Sequence, residues 1–404
     1  MNESIGFNLS VSTMETLQQN VSEDHLTITL RNTQPKSSEN ERENSLPIPI
    51  DLIIEIFSRL PFKSIAICRC VSKHWGSILR RPDFTELFFN MSLARPQLLF
   101  ACLEDSKLVF YSSPQPQNPN ENSSPLVASY HMSFPLDIYC NYEICNHVNG
   151  LILLKLLRKE KGETVQVICN PSTGQCLTLP KVETSSVWVM SYFGYDPVEK
   201  QYKVLSVTRS DGFDEYQVLT LGIGEPSWRM IKSCRPHIHY SKHVCINGVL
   251  YYIASITGFL EDPMVVCFDF KSEKLRFIEE SMGTFIRKGF QNLINYNGKL
   301  ALVKSSFIYG TSDSIELWVR EDVDKQEWSK HTCVFPAYLR FVGVTQTNEI
   351  VLASSFSVPF DLFYYNMEKK TIIRLQIQGM EDFPHKLVDV FLNHIEDVKL
   401  LQVI

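Results

Sequence analysis

The run NGLILLKLL, residues 149–157, joins an Asn-Gly pair to a run of apolar residues broken only by Lys155. Asn and Gly tolerate the positive φ angles that a tight hairpin turn requires, so the run reads as a turn feeding a buried strand. The same arrangement returns as NGVLYYIA at 247–254 and NGKLALV at 297–303, and in weaker form as NEIVLA at 348–353. These turns lie about 50 residues apart, or twice that, so a further member is expected near residue 198, where EKQYKVLSV (199–207) stands. Between them runs a second landmark, a polar turn followed by a short strand: NPSTGQCLTLP (170–180), GEPSWRMI (224–231), DFKSEKLRFI (269–278), KQEWSKHT (325–332) and NMEKKTIIRL (366–375). Repeats of about four short strands at this length predict a β-propeller-like or kelch-like array, in which each sheet buries its faces against its neighbours. Five or six blades fit the length. PQPQNPNENSSP, residues 114–125, interrupts the pattern and reads as a mobile loop.

Upstream of this array the period changes. In IPIDLIIEIFSRLP (48–61), Leu52, Ile53, Ile56, Phe57 and Leu60 fall on one helical face, with Pro49 opening the helix and Pro61 closing it. A second helix follows, with Ser64 as its expected N-cap, Ile67, Val71, Trp75 and Ile78 as its apolar stripe and Pro82 as its end. The first 44 residues hold seven acids against three bases and few aromatics, too little apolar surface to offset the entropy of ordering. The expected organisation is a disordered polar tail over 1–44, a helical module over 45–90 and a β repeat domain over 91–404. The fold class is mainly β with a small α module.

The chain has 404 residues, 44% hydrophobic, and a formal net charge of -6, which argues against a surface built to wrap nucleic acid. No apolar run is long enough to cross a bilayer, and no secretory signal is visible, so a soluble protein of the cytoplasm or nucleus is expected. Eleven cysteines without CxxC pairs suit buried thiols in a reducing compartment.

Three constellations invite chemical readings. Cys68, Cys70 and His74 could suggest a metal, yet only Cys70 and His74 share a helical face, and a structural zinc wants four converging ligands. Cys234, His237, His239, His243 and Cys245 could suggest another, with His237 and His239 on one side of a strand; the plainer expectation is a polar loop between blades. Lys63, Arg69, Lys73, Arg80 and Arg81 resemble a recognition helix, but the helix spends its stripe on apolar residues rather than on side chains for base edges. No nucleophile elbow, HExxH, P-loop or dinucleotide fingerprint occurs, so no catalytic residue, metal or cofactor is assigned. Trp188 and the loop SDGFDE (210–215) are possible recognition features that solvated loops and core packing explain equally well.

The helical segment is too small to shield its own apolar faces and must dock on another subunit or on the repeat domain. Its sequence, IPIDLIIEIFSRLPFKSIAICRCVSKHWGSILRRPDF (48–84), resembles the F-box in the plant style, although Ile65 and Ile67 replace residues common there. Downstream, NGLILL, NPSTGQCLTLP, FGYDPVEKQYKVL, EPSWRMI, INGVLYYIA, VCFDFKSEKLRFI and ELWVREDVDKQEWSK are similar to the F-box-associated domain of a large plant family. The resemblance implies a substrate receptor of an SCF-type ubiquitin ligase, itself without catalytic activity. Its F-box would bind a Skp-type adaptor and, through it, cullin and RING subunits, while the β domain captures a protein client. By motif position the adaptor surface would comprise Pro49, Leu52, Ile56, Leu60, Pro61, Val71 and Trp75, with Val71 and Trp75 equally able to hold the helices together. The alternative is a propeller that binds a protein or carbohydrate without ligase attachment.

Overall fold

The computed structural model describes residues 48–401, except 121, 138–139, 185, 187–188, 211–212, 223, 232–236, 256–262, 279–291, 306–311, 323–326, 355–359 and 381–387. The tail expected over 1–44, Trp188 and Cys234 lie outside the described residues, as do Asp211 and Gly212 of the SDGFDE loop. Residues from Pro49 onward cluster as one compact unit.

Among the described residues four helices come first: α1 (Ile50–Ser58), α2 (Phe62–Val71), α3 (Lys73–Ile78) and α4 (Pro82–Leu93). Pro49 precedes α1 as expected. The single second helix is corrected to two. Pro61, not Ser64, stands at the N-cap of α2, and the helix breaks at Ser72, whose extended backbone lets its Oγ accept the Trp75 amide at 3.1 Å and so cap α3. The segment after Pro82 is itself helical, with Phe84 and Phe88 fully buried. Arg95 follows α4 and donates to the carbonyls of Ser58, Arg59 and Leu60, satisfying the open C-terminal end of α1 where a cation is favoured.

Twenty-four strands follow among the described residues. The chain lays down β1 (Gln97–Glu104), β2 (Lys107–Pro114), the short β3 (Leu126–Val127) and β4 (Ser129–Pro135). Blade 2 comprises β5 (Cys140–Val148), β6 (Leu151–Arg158), β7 (Glu163–Asn170) and β8 (Gln175–Thr178). Blade 3 comprises β9 (Val189–Asp196), β10 (Gln201–Ser210), β11 (Phe213–Leu221) and β12 (Trp228–Met230). Blade 4 comprises β13 (Ile238–Ile246), β14 (Val249–Ser255), β15 (Pro263–Asp269) and β16 (Lys274–Ile278). Blades 5 and 6 share one long strand. β17 (Asn292–Tyr296), β18 (Lys299–Ser305) and β19 (Ser312–Asp322) pair onto the first part of β20 (Glu327–Val344), whose last part pairs with β21 (Glu349–Ser354), followed by β22 (Phe360–Asn366) and β23 (Thr371–Gln378).

Closure, which the sequence left open, comes from β24 (Val388–His394). It pairs antiparallel with β1, opposing His394 to Gln97 and Val390 to Phe100, and takes in blade 1 the inner place that β5 takes in blade 2. The result is a six-bladed propeller. Alternate residues of a strand face opposite neighbours: Leu98 and Phe100 of β1 join the seam with blade 6, and Leu99 and Ala101 the seam with blade 2. Six such seams, each with a core of buried hydrophobic residues, go round the ring. Burial on both faces explains why LILLKLL reads as continuous rather than alternating.

The Asn-Gly pairs occupy the turns between the first and second strands of their blades, with positive φ at both residues: 46° and 86° at Asn149-Gly150, 50° and 80° at Asn247-Gly248, 49° and 80° at Asn297-Gly298. Lys200 and Asn348 take the same left-handed conformation in blades 3 and 6. A β-carbon on Gly150 would collide with the carbonyl oxygen of Ile395, so glycine is needed there for space as well as for φ. The 114–125 segment is held at its start: Gln115 is buried and exchanges two hydrogen bonds with Asn393, at 2.9 and 2.7 Å.

Candidate protein-docking surface

The four helices build a core from Ile54, Phe57, Phe62, Ile65, Ile78, Leu79, Phe84 and Phe88. The ninth buried member is Val398, which arrives from beyond β24 and is fully buried among them. The residues around it are tied to both parts. Arg69 of α2 donates to the carbonyls of Leu79 and Val398, both at 2.8 Å, and Asn170 of blade 2 donates to the carbonyl of Asp397 at 3.0 Å. Glu86 of α4 pairs with Lys200 of blade 3, and Phe62 stacks on His131 of β4 at 6.4 Å. The helical module is therefore seated on the propeller by the chain's own C-terminal segment.

Completion of the core does not cover the helices. Leu52 and Ile56 sit one turn apart on α1 and are 54% and 55% exposed, while Ile67 and Val71, one turn apart on α2, are 67% and 61% exposed. Pro49 and Pro61 are exposed and Leu60 is half-buried. The one-face reading of α1 is therefore corrected: Ile54 and Phe57 point inward and Leu52 and Ile56 outward, so the helix is apolar on two sides. Of the two residues with a double reading, Val71 is exposed, whereas Trp75 is half-buried and packs edge-on against Phe57 at 5.0 Å within the helical core. Ile67 joins the exposed set although sequence reasoning placed it on the buried stripe. No sequence signal separated it, because the apolar stripe runs on through Ser72, where the break removes the register that linked Ile67 to Trp75. Covering these side chains would contribute on the order of 1–2 kcal/mol each.

The other constellations resolve into packing. Cys70 and His74 lie on different helices, and among the described residues no group of three or more His, Cys, Asp or Glu could hold a metal. His237 and His239 stand side by side at 4.8 Å at the start of β13, within the seam of blades 3 and 4 rather than in a loop. Tyr192 Oη lies 2.9 Å from His239 Nδ1, and Tyr252 Oη lies 2.8 Å from His237 Nε2. Burial holds His239 well below the usual imidazole range and His243 at about 4. Of the basic residues, Arg69 serves the seat described above, and Arg81 pairs with Asp83 at 2.6 Å.

Comparison with known proteins places the same two modules on the chain. The F-box domain family matches residues 46–87, and the F-box associated beta propeller domain matches residues 97–395. The chain is 53% identical to the Arabidopsis thaliana F-box protein At5g65850 over 96% of this chain and 99% of that protein. It is 51% identical to F-box protein DOR of the same plant, over 89% of this chain and 95% of the relative. Among solved structures, TolB from Acinetobacter baumannii is similar over 76% of this chain and 70% of its own, with a TM-score of 0.45 and 9% identity. The chain belongs to the F-box proteins that carry an F-box associated propeller.

Proposed function

We propose that this F-box protein is the substrate receptor of an SCF-type ubiquitin ligase. Its α1 and α2 dock on a Skp-type adaptor, which links it to cullin and RING subunits, and its propeller captures a protein client in the nucleus or cytoplasm. A general role of this kind is what an F-box joined to such a propeller supports. The observation that carries the finer reading is the set of large aliphatic side chains, Leu52, Ile56, Ile67 and Val71, left in water by helices whose own core is complete. Pro49, Leu60 and Pro61 border the surface, and Trp75 supports it from beneath.

The chain's task is positional. Seating the helices on the ring through Val398 and Arg69 fixes the client-binding part relative to the adaptor, which raises the effective concentration of client lysines at the activated ubiquitin. The bond-making residues belong to other subunits.

Coexpression with a Skp-type adaptor is expected to yield a stable complex. Ile56→Asp and Val71→Asp each bury a charge without a partner and are expected to weaken it by more than about a hundredfold, roughly 3 kcal/mol, with thermal stability unchanged. Copurification of both variants with the adaptor at wild-type yield would remove the surface from these helices.

A further inference from the structure

Blade 2 carries a thiol pair that no role described so far uses. Cys169 of β7 and Cys176 of β8 are directly opposed in the antiparallel ladder. Their Sγ atoms lie 2.6 Å apart, closer than unbonded sulfurs rest and not far beyond a disulfide bond of roughly 2.05 Å. Cys169 is fully buried and Cys176 is exposed. Burial, and then the neighbouring thiol, push Cys169 well above the ordinary thiol range, so the point of entry for an oxidant is Cys176.

The hairpin that these cysteines bracket is the one that grips the C-terminal segment. Asn170, next to Cys169, donates to the carbonyls of Asp397 and Lys399 at 3.0 and 3.3 Å. Gln175, next to Cys176, accepts the Leu401 amide at 2.8 Å. Val398, between these contacts, completes the helical core.

We propose that Cys169 and Cys176 are a reversible redox pair that a peroxide converts to a disulfide, locking the hairpin that holds the C-terminal segment. The Cys176 thiolate attacks one peroxide oxygen; the O–O bond breaks, leaving a sulfenic acid and, after protonation, water. The Cys169 sulfur then attacks the sulfenyl sulfur, the S–S bond forms, the S–O bond breaks, and the hydroxyl leaves as water with the Cys169 proton. Two thiols lose two electrons and one hydrogen peroxide becomes two waters. A dithiol reverses the step by exchange. In a reducing compartment such pairs stand as thiols and close transiently. The pair is independent of the adaptor reading.

The test treats the reduced full-length chain with hydrogen peroxide, alkylates it in denaturant with iodoacetamide and digests it with trypsin. Both cysteines fall in one peptide, residues 162–181, between Lys161 and the cleavage after Lys181. This peptide is expected to lose two hydrogens and escape labelling, and to regain two labels after dithiothreitol. Hydrogen exchange of the C-terminal peptide carrying Leu401 is expected to slow by about tenfold on oxidation, as local opening of the hairpin is suppressed. Cys176→Ser, at an exposed position, should abolish both effects. Full alkylation after peroxide, sulfinic acid at Cys176, linkage between chains, or unchanged exchange at Leu401 would each overturn the proposal.

Discussion

The helices and the ring treat the same kind of side chain in opposite ways. In the seams, Leu98, Phe100, Val351 and Leu352 are removed from water entirely, whereas α1 and α2 leave Leu52, Ile56, Ile67 and Val71 more than half in it. The ring also has exposed large residues, Leu103, Val127, Tyr130, Val198, Met230 and Val334, but they are spread over strands and turns of blades 1, 3, 5 and 6 rather than set one turn apart on adjacent helices. Scattered residues of this kind occur on most surfaces; pairs one helical turn apart on adjacent helices are the arrangement on which the proposed docking surface rests. The difference teaches that arrangement, rather than the degree of exposure, separates a docking surface from ordinary leakage of apolar residues into solvent.

Stability measurements can break that contrast. Phe100→Ala, in the seam of blades 1 and 6, is expected to destabilise the chain by about 3–5 kcal/mol in urea unfolding, because a cavity opens in packing that the ring cannot relax. Ile67→Ala is expected to stay within about 0.5 kcal/mol of wild type. Comparable losses at both positions would mean that Ile67 is packed and the contrast is false.

Acid sharpens the comparison at the boundary between the two regions. His394 is buried and His131 and His147 are half-buried where blade 1, blade 2 and the helices meet, and His147 Nε2 lies 3.0 Å from His394 Nδ1. Burial holds His131 and His147 at about 4, and burial with the neighbouring histidines holds His394 well below its ordinary range. Unfolded histidines titrate near ~6.5, so between there and about 4 the unfolded chain binds more protons than the folded one, and stability falls as pH drops through that window. Asp397, raised to about 6 by burial, works the other way by taking its proton before the unfolded chain does. The histidines outnumber it. At pH 5, His131 and His147 are expected to cost about 2 kcal/mol each, seen as a falling Tm between pH 7 and 5 that His147→Asn flattens. A Tm that holds or rises over that range would place these rings in water.

The smallest effect belongs to the ion pair between Glu86 and Lys200, which joins the two regions at the surface. Both partners are largely exposed, so Lys200→Ala is expected to leave Tm unchanged within error; a clear drop would mean that surface charge shares in seating the helices.

The sequence disclosed the ring better than its closure. Type I′ turns demand positive φ at two successive residues, and Asn-Gly answers that demand so specifically that the blade period could be read from three pairs. Blade 1 has no such turn. Its inner strand is β24 and its second strand β1, so the place of the turn is taken by the two ends of the domain, and a further step of about 50 residues beyond Asn348 arrives at Val398. Nothing local signals that pairing of distant segments. In the helices, the proline boundaries of α1 were legible because they act locally, while the Ser72 break was hidden by a stripe that ran on through it. The outward face of α1 was obscured because Leu52, Ile53, Ile54, Ile56 and Phe57 are all apolar, with only Glu55 among them, and only the position of the core decides which of them face water.

The place of Val398 has a consequence for the molecule's biogenesis. In a nascent chain the helices emerge before the ring, yet their core lacks its last side chain, and blade 1 its inner strand, until the segment from β24 to Val398 has been translated. A product cut short before β24 is left with both modules unfinished together, the helices without their full core and the ring without its closure.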